Sequence, residues 1–159
     1  IILNTTPPMS TWLLEDINTF SSSFGEFVGP ETYNGNISLY YFGKAGWAMC
    51  RHRFGVLNDL YLELQAEGIN DVSIMGINGY QYLDNDYEQM INERVLPWVQ
   101  DYPEVNAWGQ WDVILRDLFI LDRDGVLITK INLTAFNPDP TSTCGQNYDT
   151  IKNVIINAR

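Results

Sequence analysis

A cysteine stands at position 50 in the stretch GKAGWAMCRHRF, residues 43–54, with Arg51, His52 and Arg53 directly after it. A thiol beside cations can be held as thiolate, the form that attacks disulfides. Three residues earlier, where a C-x-x-C turn would supply a second thiol, the chain has Trp47. An indole neither ionises nor attacks, so a two-thiol cycle is closed to this motif. The other cysteine of the chain is Cys144. Cys50 has three readings: a reacting thiol, a small apolar residue on a buried helix face, or a disulfide partner of Cys144. The disulfide would close a long loop and add on the order of 4 kcal/mol by the chain-entropy argument. The buried-residue and disulfide readings are preferred, because Cys50 falls in register with Phe54 and Leu57 on one apolar helix face.

Other chemistry-bearing residues are sparse. His52 is the only histidine, which excludes multi-histidine metal sites and argues against a catalytic triad. It reads as a surface residue of a first helical turn. Asp84, Asp86 and Glu88 lack the glycine and terminal glutamate of a calcium loop, and Asp122 and Asp124 belong to a turn. Both groups read as solvated acidic loops, and no metal is expected.

Aromatic residues are 13% of the chain. Trp47 sits in the motif itself, and Tyr80, Tyr82, Tyr87, Trp98, Trp108 and Trp111 crowd the irregular middle. Rings with apolar bodies and polar edges suit ordinary core, subunit interfaces or flat apolar ligands.

The chain has 159 residues and a formal charge of -11, with nine Lys and Arg against twenty Asp and Glu. This balance argues against a nucleic-acid backbone or an anionic membrane surface as partner. No run approaches the roughly 18 apolar residues of a membrane span. Asn4, Asn36 and Asn132 each begin an N-x-S/T sequon, which points to a secreted glycoprotein if those amides face solvent. The start at Ile1 is compatible with a processed end.

The elements that would position Cys50 are legible in the pattern. Residues 37–42, ISLYYF, form an apolar run expected to be a buried strand. From about Ala48, apolar residues Cys50, Phe54, Leu57, Tyr61 and Leu64 recur at helical spacing, and Gly68 ends the helix. Residues 71–78, DVSIMGIN, form a second strand, parallel to the first across the helix. A short helix is expected over 86–95 and a short helix or loop over 106–115, with an extended piece at 98–101. Strands at 118–121 and 126–131 flank the turn 122–125, and a helix over 147–158 closes the chain. Residues 1–36 read as an extension with a short helix from Ser10 or Thr11 to Phe20. Residues 37–159 read as one α/β domain with a mixed central sheet flanked by helices.

The order of strand, cysteine-bearing loop, long helix, strand and hairpin resembles the thioredoxin fold. It resembles more closely the amino-terminal domain of selenoprotein P. The matching pieces are ISLYYF, Trp47-Ala48-Met49-Cys50, LNDLYLELQAEG, INDVSIMGIN and LFILDRDGVLI, over roughly residues 37–133. That resemblance implies a redox motif whose first position carries the nucleophile and whose second, resolving position is Cys50. Trp47 in the first position departs from it.

Two functions are expected on these grounds. The first is a secreted, non-catalytic thioredoxin-fold binding protein. Its seven rings would line a pocket for an apolar conjugated chromophore of the carotenoid type, or a subunit interface in an oligomer. The alternative, implied by the resemblance, is a thiol-dependent oxidoreductase using Cys50 with Cys144 or an external thiol.

Overall fold

The apolar run at 37–42 forms a strand because both of its faces are covered. In the computed structural model, which describes residues 6–159, every residue of this strand is buried. Among the described residues seven strands occur: β1 (Leu14–Glu15), β2 (Phe27–Val28), β3 (Ile37–Gly43), β4 (Val72–Asn78), β5 (Trp98–Gln100), β6 (Asp117–Leu121) and β7 (Leu127–Asn132). The helices are α1 (Ala48–Ala66), α2 (Glu88–Ile91), α3 (Ala107–Gln110) and α4 (Gln146–Ala158). The main sheet runs β5-β4-β3-β6-β7, with β3, β4 and β5 parallel and β6 and β7 antiparallel to their neighbours. This is the mixed sheet expected from the pattern, with α1 as the crossover between β3 and β4.

Alternate residues of β3 feed two cores, as the pleat requires. Ile37, Leu39 and Tyr41 pack with Phe54, Leu57 and Leu64 of α1 and with Ile151 and Ile155 of α4. Full burial of a ring such as Phe54 contributes about 1.5–3 kcal/mol. Tyr40 and Phe42 face the other way and meet Trp12, Leu14, Trp111 and Phe119. Helix α1 ends as the glycine predicts, with Gly68 at φ +81, a conformation a side chain would strain.

The amino-terminal segment differs from expectation. No helix covers residues 10–20; Leu14–Glu15 pairs with Phe27–Val28 in a two-stranded ribbon. The exposures of Trp12, Leu13 and Leu14, 5%, 56% and 1%, alternate as in a strand. Tertiary bonds override the helix-start signal. Asp16 Oδ1 accepts from Trp98 N at 3.2 Å, and Ile17 N donates to Trp98 O at 2.9 Å. Asn18 Nδ2 donates to Leu96 O at 2.7 Å. The expected helix over 86–95 shrinks to the single turn α2, the helix or loop expected over 106–115 holds the single turn α3, and the extended piece near 98 becomes β5. Among the described residues no helix is long and apolar enough to cross a membrane.

Candidate functional site

Strand β3 delivers the chain to the turn Lys44–Trp47, and α1 begins at once behind it. Trp47 is the N-cap residue, with no side-chain cap and no acidic residue in the first turn. The first-turn N–H groups therefore carry the positive end of the helix dipole uncompensated. Cys50 lies in this turn, buried, with its side chain in the α1-side core. Tyr41 Oη donates to Cys50 O at 3.4 Å. Burial, and then the nearby thiol, push the Tyr41 phenol up.

The polar cover of the thiol comes from across the sheet. Arg116 Nη1 donates to Cys50 Sγ at 3.4 Å, and Arg116 Nε donates to Thr134 Oγ1 at 2.8 Å. Arg116 sits at φ +72, the left-handed region, just before β6. Its N–H donates to Phe42 O and its carbonyl accepts from Leu133 N, both at 2.8 Å. These bonds hold an unfavourable backbone conformation in place, the kind of local strain that clusters at functional sites. An open depression lined by Gly46, Trp47, Ala48, Met49 and Arg116 leads to this spot.

A second arginine lies behind the first. Arg53 is buried, donating from Nε to Leu133 O at 2.8 Å and from Nη1 to His52 Nδ1 at 2.7 Å. Burial lowers its pKa from the ordinary value. Guanidinium only donates, so His52 Nδ1 accepts and its Nε2 faces Asp139 Oδ2 at 2.7 Å. His52 is therefore a link between Arg53 and the loop before α4 rather than a free surface residue. Asp139 is held down at about 2, first by the Thr141 N–H and then by His52.

The candidate Cys50–Cys144 disulfide is absent from the structure. Both cysteines are free, Cys50 buried and Cys144 exposed in the turn before α4. Cys144 adopts φ 53 in that turn. The sequon asparagines fare unequally. Asn4 lies outside the described residues. Asn36 Nδ2 donates once, to Ser73 Oγ at 3.0 Å, which leaves one N–H for a glycan. Asn132 Nδ2 spends both hydrogens, on Leu115 O and Asp117 Oδ1, each at 3.0 Å. The acidic positions have turn roles: Asp86 Oδ1 accepts from Glu88 N, and Asp122 Oδ1 accepts from Asp124 N and Val126 N.

The seven rings share no cleft. Trp98 is buried in the α1-side core with Tyr87 packed against it, while Trp111 is buried on the opposite side of the sheet. Tyr80 and Tyr82 are half-buried in a single turn after β4. Trp47, 52% exposed, lies under Lys44, whose Nζ is 3.5 Å from its ring centroid and 4.9 Å from that of Tyr82. Tyr82 in turn meets the edge of Trp108.

No family model matches the chain, and no curated protein matches it. Solved structures do. The thioredoxin domain of a thiol-disulfide oxidoreductase from Bacteroides vulgatus is 16% identical, with a TM-score of 0.66 over 97% of this chain and 99% of that one. A thiol:disulfide interchange protein from Bacteroides sp. is 16% identical, with a TM-score of 0.67 over 99% and 93%. BsSco, of the Sco family of cytochrome c oxidase assembly proteins and described with a disulfide switch, is 17% identical, with a TM-score of 0.65 over 99% and 96%. The chain has a thioredoxin-like α/β fold.

These findings overturn the expectation of a non-catalytic carrier for a carotenoid-type pigment. The similar structures include proteins named for thiol–disulfide chemistry, and the rings meant to line the pocket are divided between two faces of the sheet. Sequence reasoning also missed Arg116, which no spacing connects to Cys50. A charged residue at the mouth of the buried strand 118–121 was its one visible sign.

Proposed function

We propose that the chain is a thiol-dependent oxidoreductase whose reacting group is Cys50, working as a single-thiol site. The observation that carries this reading is the Arg116 guanidinium donating to Cys50 Sγ in the first turn of α1. A buried structural cysteine needs no cation on its sulfur; a reacting one gains from it. The names of the similar structures support the same reading. The resemblance to the amino-terminal domain of selenoprotein P belongs to this proposal too. It makes Cys50 the surviving half of a two-position motif, with Trp47 in the place of the lost nucleophile.

The chemistry is exchange. Cys50 thiolate attacks one sulfur of a substrate disulfide, forming a mixed disulfide and expelling the other sulfur as thiolate with the bonding pair. An external thiolate then attacks the substrate sulfur of the mixed disulfide, and Cys50 leaves as thiolate. The electrons come from the external thiol, and Cys144 has no part. Since Cys50 is buried, Arg116 and the Trp47 turn must yield for the substrate to reach Sγ.

Turnover of 2-hydroxyethyl disulfide with excess small thiol tests this. Wild type and Cys144→Ser should accelerate the exchange, and Cys50→Ser should not. Equal rates in Cys50→Ser and wild type would remove the proposal. An extracellular setting is proposed with it, on the sequons at Asn4 and Asn36. A mass loss on enzymatic glycan release from the natural protein is its check.

A further inference from the structure

The nine Lys and Arg of this acidic chain divide into two groups. Among the described residues, Arg123, Lys130, Lys152 and Arg159 each pair with a carboxylate. The other five, Lys44, Arg51, Arg53, Arg94 and Arg116, pair with none. All five surround the first half of α1, and neutral partners hold them. Lys44 lies over the rings of Trp47 and Tyr82. Arg51 donates to the Gln89 side chain, and Arg94 to the carbonyls of Gln89 and Met90. Arg53 donates to carbonyls and to His52, and Arg116 to Thr134 and the thiol. Carboxylates stand near two of them without forming an ion pair, Asp139 near Arg53 and Asp59 and Glu93 near Arg94.

A chain of charge -11 repels anions at long range. A cluster of unpaired cations at one end offsets that repulsion locally and favours anionic ligands there. Resting on the Cys50 reading above, we infer that the disulfide exchanged at Cys50 is anionic, with carboxylate groups close to the reacting sulfurs. Lys44, over the Trp47 ring, and Arg51, next to Cys50 in α1, draw the carboxylate in. Arg116 stands between the depression and the sulfur.

The test is a charge series of small disulfides with the native chain carrying Cys144→Ser: dithiodiglycolate (anionic), 2-hydroxyethyl disulfide (neutral) and cystamine (cationic). Each second-order rate of Cys50 is divided by the rate of the same disulfide with 2-mercaptoethanol. The corrected anionic rate should exceed the cationic one by about tenfold or more at low salt, with the neutral one between. The spread should shrink at about 0.5 M salt, where screening is strong. Arg51→Gln should lower the anionic-to-neutral ratio, and Lys152→Gln, paired with Glu63 and Glu67 in the second half of α1, should not. Equal corrected rates, or a faster cationic one, would overturn the inference while leaving Cys50 reactive. Failure of Cys50 to react with any of the three removes the underlying reading instead.

Discussion

Arg116 Nη1 donates to Cys50 Sγ at 3.4 Å, across 66 positions of sequence. The bond ties the entry of β6 to the first turn of α1 and places a fixed positive charge on the thiol. Hydrogen bonds to charged groups contribute about 1.5–3 kcal/mol, and roughly 1.4 kcal/mol is a tenfold effect. Arg116→Ala should therefore slow alkylation of Cys50 by iodoacetamide at about pH 7 by about tenfold. Arg116→Lys should recover part of the rate. Acceleration in the alanine variant would mean that Arg116 only shields the sulfur.

Trp47 lies three residues before Cys50, at the N-cap and half exposed. Little packing depends on it, so Trp47→Cys should fold with a stability change within about 0.5 kcal/mol, as for surface substitutions. It creates a C-x-x-C turn at a helix start. On mild oxidation the introduced thiol should bond to Cys50, seen as a loss of about 2 mass units for the two hydrogens removed. The variant should also reduce insulin disulfides about tenfold faster than wild type, because an internal resolving thiol replaces the external one.

Gly76 lies in β4 where a Cβ would meet Trp98 Cε3 at 2.5 Å and Phe54 Cε1 at 2.6 Å. Those rings are pinned between β5 and α1 and cannot both withdraw. Gly76→Ala should cost about 1–3 kcal/mol by overpacking. Urea unfolding followed by tryptophan fluorescence measures it. An unchanged midpoint would show that the core is looser than its contacts imply.

Much of this frame was legible in the pattern. The expected strands at 37–42 and 71–78 and the helix from Ala48 match β3, β4 and α1 closely, because apolar runs and 3.6-residue periodicity encode burial locally. Gly68 and Gly125 marked their turns for the same local reason. The segment from Trp12 to Asn18 was not legible. Its strand geometry depends on Asp16 and Asn18 reaching residues 94–98, more than seventy positions away. The site divided in the same manner. Cys50 showed in its motif, while Arg116, and the Arg53–His52–Asp139 chain, exist only once β6 and the 133–139 loop are folded back over α1. The aromatic count misled because a two-faced sheet uses rings on both sides.

Asp71 links three parts of the chain, accepting from Arg123 of the β6–β7 turn and from Arg159 at 2.8 Å. The Arg123 bond first, then Arg159, hold its carboxyl at about 2, below the ordinary 3.8. In the unfolded chain this group takes up its proton at higher pH, so protonation favours unfolding. The stabilisation is full above about pH 4 and is lost as pH falls toward about 2. Asp71→Asn should lower the urea midpoint at about pH 7 and flatten its dependence between those limits. A variant curve parallel to wild type would show that the pairing contributes nothing, as exposed pairs sometimes do.

Whether Cys50 is a reacting thiol or a small buried core residue can be measured directly. The Cys144→Ser chain, folded in buffer, is incubated with 2-hydroxyethyl disulfide, and its intact mass is recorded over time. One mercaptoethanol adduct, mapped to Cys50, should form on the native chain and be slowed by Arg116→Ala. An adduct that appears only after denaturant is added would contradict a reacting thiol, leaving Cys50 an inert residue of the core.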